Sequence, residues 1–269
     1  MAVSSTDKLS QLSQAKRYWE LLNVLVKRNL FMRYRGSILG IFWSLLNPLI
    51  MTGLYTAIFS SAFADHYHGS ILNYALAAFT GLIVINFYSA STSQALSSLV
   101  ANGSLLNKIR LPLSIFPVSV NGANVFQFLV GPLPILVVIT LVISKNLLNV
   151  VALFLPLAAL ALVCLGVGFL VSTLYVFFRD LPYFYELVTF VLWISSPVFY
   201  PSKIVPPLVK PFLVLNPLVA IIESLRQIVL TGDLPDLHLI SGALLSSIII
   251  FGLGWSFFQR WRSQFMDLL

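Results

Sequence analysis

Charge is scarce in this chain: only 9% of its 269 residues are Asp, Glu, Lys or Arg, against about 25% in an average soluble domain. That deficit excludes an ordinary soluble enzyme, a disordered chain and a coiled coil. Cysteine occurs once, at Cys164 inside an apolar run, so there is no disulfide framework and no thiolate metal site. No G-x-x-x-x-G-K-[ST] loop is present, and with it goes the Walker cradle for nucleotide phosphates. H-E-x-x-H is missing too, and no Asp-rich pair is set up for magnesium-diphosphate chemistry. The three histidines, His66, His68 and His238, fall at the ends of apolar segments. None is inside one, so an intramembrane serine dyad has no base, and His66-x-His68 reads as a solvated loop pair. These absences point away from catalysis, metal ions and cofactors in this chain.

What is present is apolar. The chain is 58% hydrophobic with a mean hydropathy of +0.93. A helix crossing about 30 Å of hydrocarbon needs about 20 apolar residues. Stretches without Asp, Glu, Lys or Arg run Gly36–Ala64, His66–Asn107, Leu111–Ser144, Asn146–Phe178, Leu187–Ser202 and Leu237–Gln259. They predict an all-α integral membrane protein with six spans, near 38–62, 72–97, 113–143, 150–177, 183–200 and 238–258. A polar N-terminus precedes the first of them, which argues against a cleaved signal peptide.

The basic residues predict orientation. With the N-terminus inside, twelve of the sixteen Lys and Arg fall on the cytoplasmic side, including Lys27, Arg28, Arg33, Arg35, Lys108, Arg110, Arg179 and Arg260. Four, Lys145, Lys203, Lys210 and Arg226, fall outside. That imbalance places both termini in the cytoplasm. It also explains the net charge of +7 as topology, without nucleic acid as a partner.

Residues 1–35 form a separate N-terminal unit ahead of the transmembrane domain, 36–269. Leu12, Ala15, Trp19, Leu22, Val26 and Leu30 recur at steps of three and four, opposite Lys16, Glu20, Asn23 and Lys27. That pattern predicts an amphipathic helix lying in the headgroup layer. The alternative is a helix packed on a soluble partner. In 201–232, Pro201, Pro206, Pro207, Pro211 and Pro217 interrupt any long helix. Leu218–Leu230 is too short to cross, so a re-entrant or interfacial hairpin on the outer face is expected. Between spans two and three, residues 102–111 predict a short helix capped at Ser104, with Leu105, Leu106 and Ile109 as an apolar ridge and Lys108 and Arg110 in its last turn.

Charges near the spans are few. Glu186 lies within two turns of Arg179 and Asp180 and reads as an interfacial carboxylate. Glu223 and Arg226, three residues apart, can pair on one helix face or meet a polar substrate. Aromatics make up 13% of the chain; most suit interfacial belts and helix packing. Tyr55, Phe59, Trp193, Phe199 and Tyr200 are the candidates for a ring-lined duct, because sugars present C–H faces to aromatic rings.

Several segments together resemble the permeases of polysaccharide-export ABC transporters. They are Leu25–Leu30, Arg33–Trp43 with Asn47-Pro48, Asn102–Pro112 with Phe116-Pro117, Phe178–Leu181, Ser196–Tyr200, and Asn216-Pro217-Leu218 through Glu223 and Arg226. They occur in order over nearly the whole chain; Leu111 alone departs, where an aromatic is expected. The resemblance implies a homodimer of six-helix subunits in the inner membrane, served by two copies of a separate ABC ATPase that holds ATP and Mg. It implies that the N-terminal helix and the coupling helix formed by Ser104, Leu105, Leu106, Lys108, Ile109 and Arg110 receive the motor's movements. Spans one and five would line the duct, and outer gate helices in 204–230 would carry Glu223 and Arg226. The cargo would be a lipid-linked glycan of O-antigen, capsule or teichoic-acid type. Arg33 and Arg35 would meet its phosphate at the cytoplasmic mouth, or would simply anchor the helix to the membrane. Competing readings are an exporter of a drug or lipid, a membrane enzyme acting on a polyprenyl lipid, and a passive channel.

Overall fold

With no water to satisfy its amides, an apolar run must bond its own backbone, and helices do so within one segment. The computed structural model describes residues 5–67, 69–106, 108, 111–208, 210–234 and 236–268, and it is helical with no strand among them. His68, Ile109 and Arg110 lie outside the described residues, as does the side chain of Leu12. The helices are α1 (Ser5–Tyr34), α2 (Trp43–Phe63), α3 (Ile71–Ser98), α4 (Gly103–Leu106), α5 (Ile115–Val130), α6 (Pro132–Ser144), α7 (Leu147–Ala152), α8 (Phe154–Phe177), α9 (Leu181–Ser195), α10 (Lys210–Leu215), α11 (Pro217–Arg226), α12 (Leu237–Trp261) and α13 (Phe265–Leu268).

Among the described residues, four helical segments are long and apolar enough to cross a membrane: Gly40–Tyr67, Ile71–Ser98, Leu147–Phe177 and Leu237–Gln264. A fifth is broken. The predicted span at 113–143 divides into α5 and α6, bent by 43°, because Pro132 has no N–H to continue the ladder. Gly131 at the bend is also where the start of α2 passes closest. A Cβ there would stand 2.4 Å from Ser44 Oγ. The predicted span at 183–200 is helical only to Ser195, fifteen residues. Pro197 drives Ser196 into the extended region (φ −77°, ψ 138°), as a residue before proline prefers.

The core surrounds α3, the most enclosed of these helices. Its Phe79–Ile85 stretch packs with Leu160 and Val163 of α8 and with Ile221, Ile222 and Leu225 of α11. α8 and α12 run in direct backbone contact: a Cβ on Gly254 would fall 2.0 Å from the Gly166 carbonyl oxygen. Small residues permit that approach, the packing mode of helices in lipid.

A second cluster closes one end of the bundle. Leu25 of α1, Leu99, Leu106, Phe116, Phe169, Phe258 and Phe265 meet there, so elements near both chain ends share one end. Phe169 and Phe258 make an edge-on pair at 5.0 Å. α1 packs along α5, but not by the stripe that apolar spacing suggests. Leu22, Val26 and Leu30 are half-buried, while Ala15 and Trp19 are exposed and Leu25 is buried. The packed face is rotated because Asn29 and Arg33 turn inward to polar partners on α5.

Candidate functional site

Three groups of functional side chains lie along the bundle. At the end that carries α1, Arg33 projects from the last turn of α1 between α3 and α5. It donates to Asn124 Oδ1 at 3.0 Å and to the side-chain oxygens of Gln94 and Gln127. Asn124 in turn donates to Gln94 Oε1 (3.3 Å) and to the Val120 carbonyl (3.0 Å). Burial lowers the pKa of the Arg33 guanidinium, with Tyr34 opposing; burial raises the pKa of the Tyr34 phenol, with Arg33 opposing. Clefts of about 350 Å³ and 510 Å³ open on the two sides of Arg33. Arg35 is exposed and lines neither.

The amide cage went unread in the sequence. Asn124 and Gln127, three residues apart on α5, face Arg33, while Asn121 turns to α8, its Nδ2 donating to the Ala161 carbonyl at 3.0 Å. That spacing was the available signal.

Near the same end, the α3–α5 connection differs from the expected 102–111 helix. It is a 3-10 turn at Val100–Asn102, the single helical turn α4, and a turn at Lys108. Asn102 fastens it: its Nδ2 donates to the Ser98 carbonyl (2.7 Å), and its Oδ1 accepts from Arg28 Nη2 (2.7 Å). Leu106 is buried in the chain's own end cluster and Leu105 packs beside it. Ser104 and Lys108 are exposed.

The second group is aromatic. Tyr55 stacks on Phe199 at 3.8 Å and on Phe59 at 6.0 Å, and Trp193 meets Phe199 edge-on at 5.1 Å. Four of the five candidate duct residues thus form one cluster joining α2, α9 and the extended segment after it. Tyr200 is adjacent; its hydroxyl donates to the Ser195 carbonyl at 3.0 Å. Outward from the cluster, α2 is largely uncovered, and Tyr183, Phe184, Leu187 and Phe190 of α9 are exposed.

The third group closes the opposite end. Arg226 is buried on α11, and its Nε and Nη2 both donate to the Ala77 carbonyl of α3 at 3.1 Å. Nη2 also donates to the Val198 carbonyl (2.8 Å), and Nη1 pairs with Glu223 Oε1 (3.4 Å). The two side chains thus pair across one turn of α11. Around this knot, Tyr74 Oη donates to the Phe199 carbonyl (3.0 Å) and Asn216 Nδ2 to Ser196 Oγ (3.0 Å). Gly81 lets the strap after α9, residues 196–200, approach: a Cβ there would stand 2.9 Å from Val198 Cα. Glu186 is exposed on α9, and Arg179 donates to the Leu268 carbonyl (3.1 Å). No cluster of three or more His, Cys, Asp or Glu suited to a metal occurs among the described residues.

Comparison with known proteins agrees with this architecture. The chain is 30% identical over 253 residues, 93% of its length and 95% of the relative's, to "O-antigen export system permease protein RfbA" of Klebsiella pneumoniae. It is 28% identical over 254 residues to a protein of the same name from Myxococcus xanthus, covering 93% and 96% of the two chains. It is 24% identical over 225 residues to "Capsule polysaccharide export inner-membrane protein CtrC" of Neisseria meningitidis serogroup B, covering 78% and 81%. A model of the family described as ABC-2 type transporter matches residues 20–230, and with that extent of agreement the chain belongs to the ABC-2 type transporter family.

Proposed function

We propose that this chain is the permease subunit of an ABC exporter that moves a lipid-linked polysaccharide, of O-antigen or capsule type, out of the cytoplasm. The observation that carries the reading is end-to-end similarity to permeases named for that export. Two copies of the chain build the pathway in the inner membrane, and two separate ATPase subunits bind ATP and Mg and supply the energy.

The chain crosses six times, with both termini in the cytoplasm. Support comes from α9 and the strap after it. α9 begins beside Arg179, which bonds the backbone of Leu268 near the C-terminus. The strap ends at Phe199, bonded to Tyr74 at the opposite end of α3. Together they run the length of the bundle although the helix alone is too short. Leu25 and Phe265 meeting in one cluster also supports an even number of crossings.

Roles then follow the three groups. The motor acts on the connection of Ser104, Leu105, Leu106, Lys108, Ile109 and Arg110. Its accessible contact surface includes Ser104 and Lys108, while Leu106 transmits force inward because it is already packed against Leu25 and Phe116. Tyr55, Phe59, Trp193, Phe199 and Tyr200 form the surface along which the glycan slides. Rings without charged partners hold sugar C–H faces weakly, which suits passage of a long polymer. Glu223 and Arg226 hold the outer gate. Arg33 and Arg35 draw the anionic end of the cargo to the cytoplasmic mouth.

The test is reconstitution. Vesicles containing the chain and its ATPase subunit are offered either a lipid-linked glycan or a small amphiphile, with ATP. ATP-dependent movement of the glycan across the bilayer is expected. Movement of the small amphiphile with none of the glycan would overturn the reading.

A further inference from the structure

A ladder of rings runs past the five candidate duct residues toward the end of the bundle that carries Arg226. Tyr55, Phe59 and Phe63 recur every fourth residue on one face of α2, and Tyr67 follows at the same spacing in the turn after it. All four are half-buried. Ring centroids are 6.0 Å apart from Tyr55 to Phe59 and 6.3 Å apart from Phe59 to Phe63. Tyr74 of α3 carries the ladder over the last step, 6.4 Å from Phe63 and 5.9 Å from Tyr67.

The ladder ends at a cleft of about 420 Å³. His66 and Tyr67 of the α2–α3 connection and Asn73 of α3 line it, together with Glu223, Gln227 and Asp236 from α11, the turn after it and the start of α12. Clefts of a few hundred Å³ with a few convergent polar groups are the ordinary form of a small-ligand site. Here the polar groups have capacity left over. Glu223 gives Oε1 to Arg226 (3.4 Å), so Oε2 remains an acceptor. Gln227 accepts the Asp236 N–H at Oε1 (2.9 Å), which leaves its amide N–H groups to donate. Asp236 accepts the His238 N–H at Oδ1 (2.9 Å) and keeps Oδ2. Arg226 is taken up by the Ala77 and Val198 carbonyls and by Glu223.

A pyranose matches this set. Its hydroxyls donate to carboxylate oxygens and accept from amide N–H groups, and its C–H face lies against an aromatic ring. The described lining brings two carboxylates against one engaged guanidinium, so a sugar with a carboxylate of its own meets like charge.

We propose that this cleft holds an uncharged sugar residue of a glycan arriving along the ring ladder, with the pyranose face on Tyr67 and its hydroxyls on Glu223, Gln227 and Asp236, and that it discriminates against acidic sugars. The site rests on the export reading for the source of the glycan, not for its donor set.

The purified full chain, in a polyoxyethylene detergent that carries no sugar of its own, is titrated with neutral hexasaccharides of glucose, galactose and mannose, and with hexagalacturonate. Saturable binding of at least one neutral probe is expected, about tenfold tighter than that of hexagalacturonate. Tyr67→Leu weakens it several-fold and Tyr67→Phe preserves it. Asp233→Asn, at an exposed position outside the cleft, leaves it unchanged. Asp236→Asn keeps a capping side chain on α12 and narrows the gap between neutral and acidic probes, which keeps the test decisive if Tyr67→Leu does not fold. Binding without glycan export in the vesicle assay upholds the site and detaches it from the export reading. ATP-dependent export without any such binding overturns the site alone. Binding of no neutral probe, tighter binding of hexagalacturonate, or equal weakening by Tyr67→Leu and Asp233→Asn overturns the proposal.

Discussion

Arg226 of α11 reaches the Ala77 carbonyl of α3 with two of its nitrogens, each at 3.1 Å. The same guanidinium holds the Val198 carbonyl, so one side chain ties α3, α11 and the strap after α9. Arg suits this task because its planar fork offers several donors in fixed directions. Lysine has one ammonium and cannot span both carbonyls with the same geometry.

Replacement of Arg226 by leucine strands the Val198 carbonyl, leaves the Ala77 carbonyl with only the Thr80 hydroxyl among its side-chain donors (2.9 Å), and leaves Glu223 without its partner. A buried acceptor left without its donor costs about 1–3 kcal/mol, and Glu223, 29% exposed, can turn toward solvent. The detergent-solubilised chain is expected to melt at clearly lower temperature as Arg226→Leu, with Arg226→Lys in between. Glu223→Gln, at a partly exposed position, is expected to cost about 1 kcal/mol or less. Equal melting temperatures for all three would show that the knot does not hold the fold.

The crossing of α8 and α12 offers a matched comparison. Gly254→Ala drives a methyl onto the Gly166 carbonyl, whereas a Cβ at Gly252, two residues away, meets nothing within 4 Å. Overpacking costs about 1–3 kcal/mol, sometimes more. Gly254→Ala is therefore expected to lower thermal stability, and Gly252→Ala to leave it level or slightly raise it through better helix propensity. Thermal scans of the two variants side by side check this.

At the motor-facing connection, burial separates two kinds of variant. Leu106→Asp places a carboxylate in the cluster of Leu25, Leu99 and Phe116 and is expected to abolish the folded chain. Lys108→Glu changes an exposed charge and is expected to leave stability within about 0.5 kcal/mol, while lowering the ATP-dependent export rate several-fold. Comparing folded yield with export by each variant distinguishes the two effects. Wild-type export by Lys108→Glu would remove that residue from the coupling surface.

The aromatic cluster gives a substitution series. Tyr55→Phe keeps the ring that stacks on Phe199 at 3.8 Å; Tyr55→Ala removes it. An aromatic pair adds about 0.5–1.5 kcal/mol beyond its buried area. Tyr55→Ala and Trp193→Ala are expected to retain the fold with a modest loss of stability and to slow glycan export, with Tyr55→Phe close to wild type. Initial export rates into vesicles, normalised to folded protein, measure this.

Much of this architecture was legible because membranes impose local rules. The apolar runs became helices, and the proline-rich stretch 201–232 became short helices. The early end of α9, short of the expected span to 200, follows from Ser196-Pro197. The rotated face of α1 was not legible from hydropathy, because Asn29 and Arg33 count there as outward-facing residues. They point inward only because Ser119, Asn124 and Gln127 wait on α5.

The sequence by itself determined class and composition: a helical membrane protein, poor in charge, with Glu223 and Arg226 spaced to pair. Those are properties of residues near one another along the chain. Tertiary structure alone decided that Arg226 also holds Ala77 and Val198, that Gly166 and Gly254 touch, that Leu106 turns inward, and that Arg33 is caged without a counter-charge. Each depends on which faces of distant helices meet. In an apolar chain hydropathy hardly distinguishes one face from another, so the few polar side chains set the register only when the helices pack.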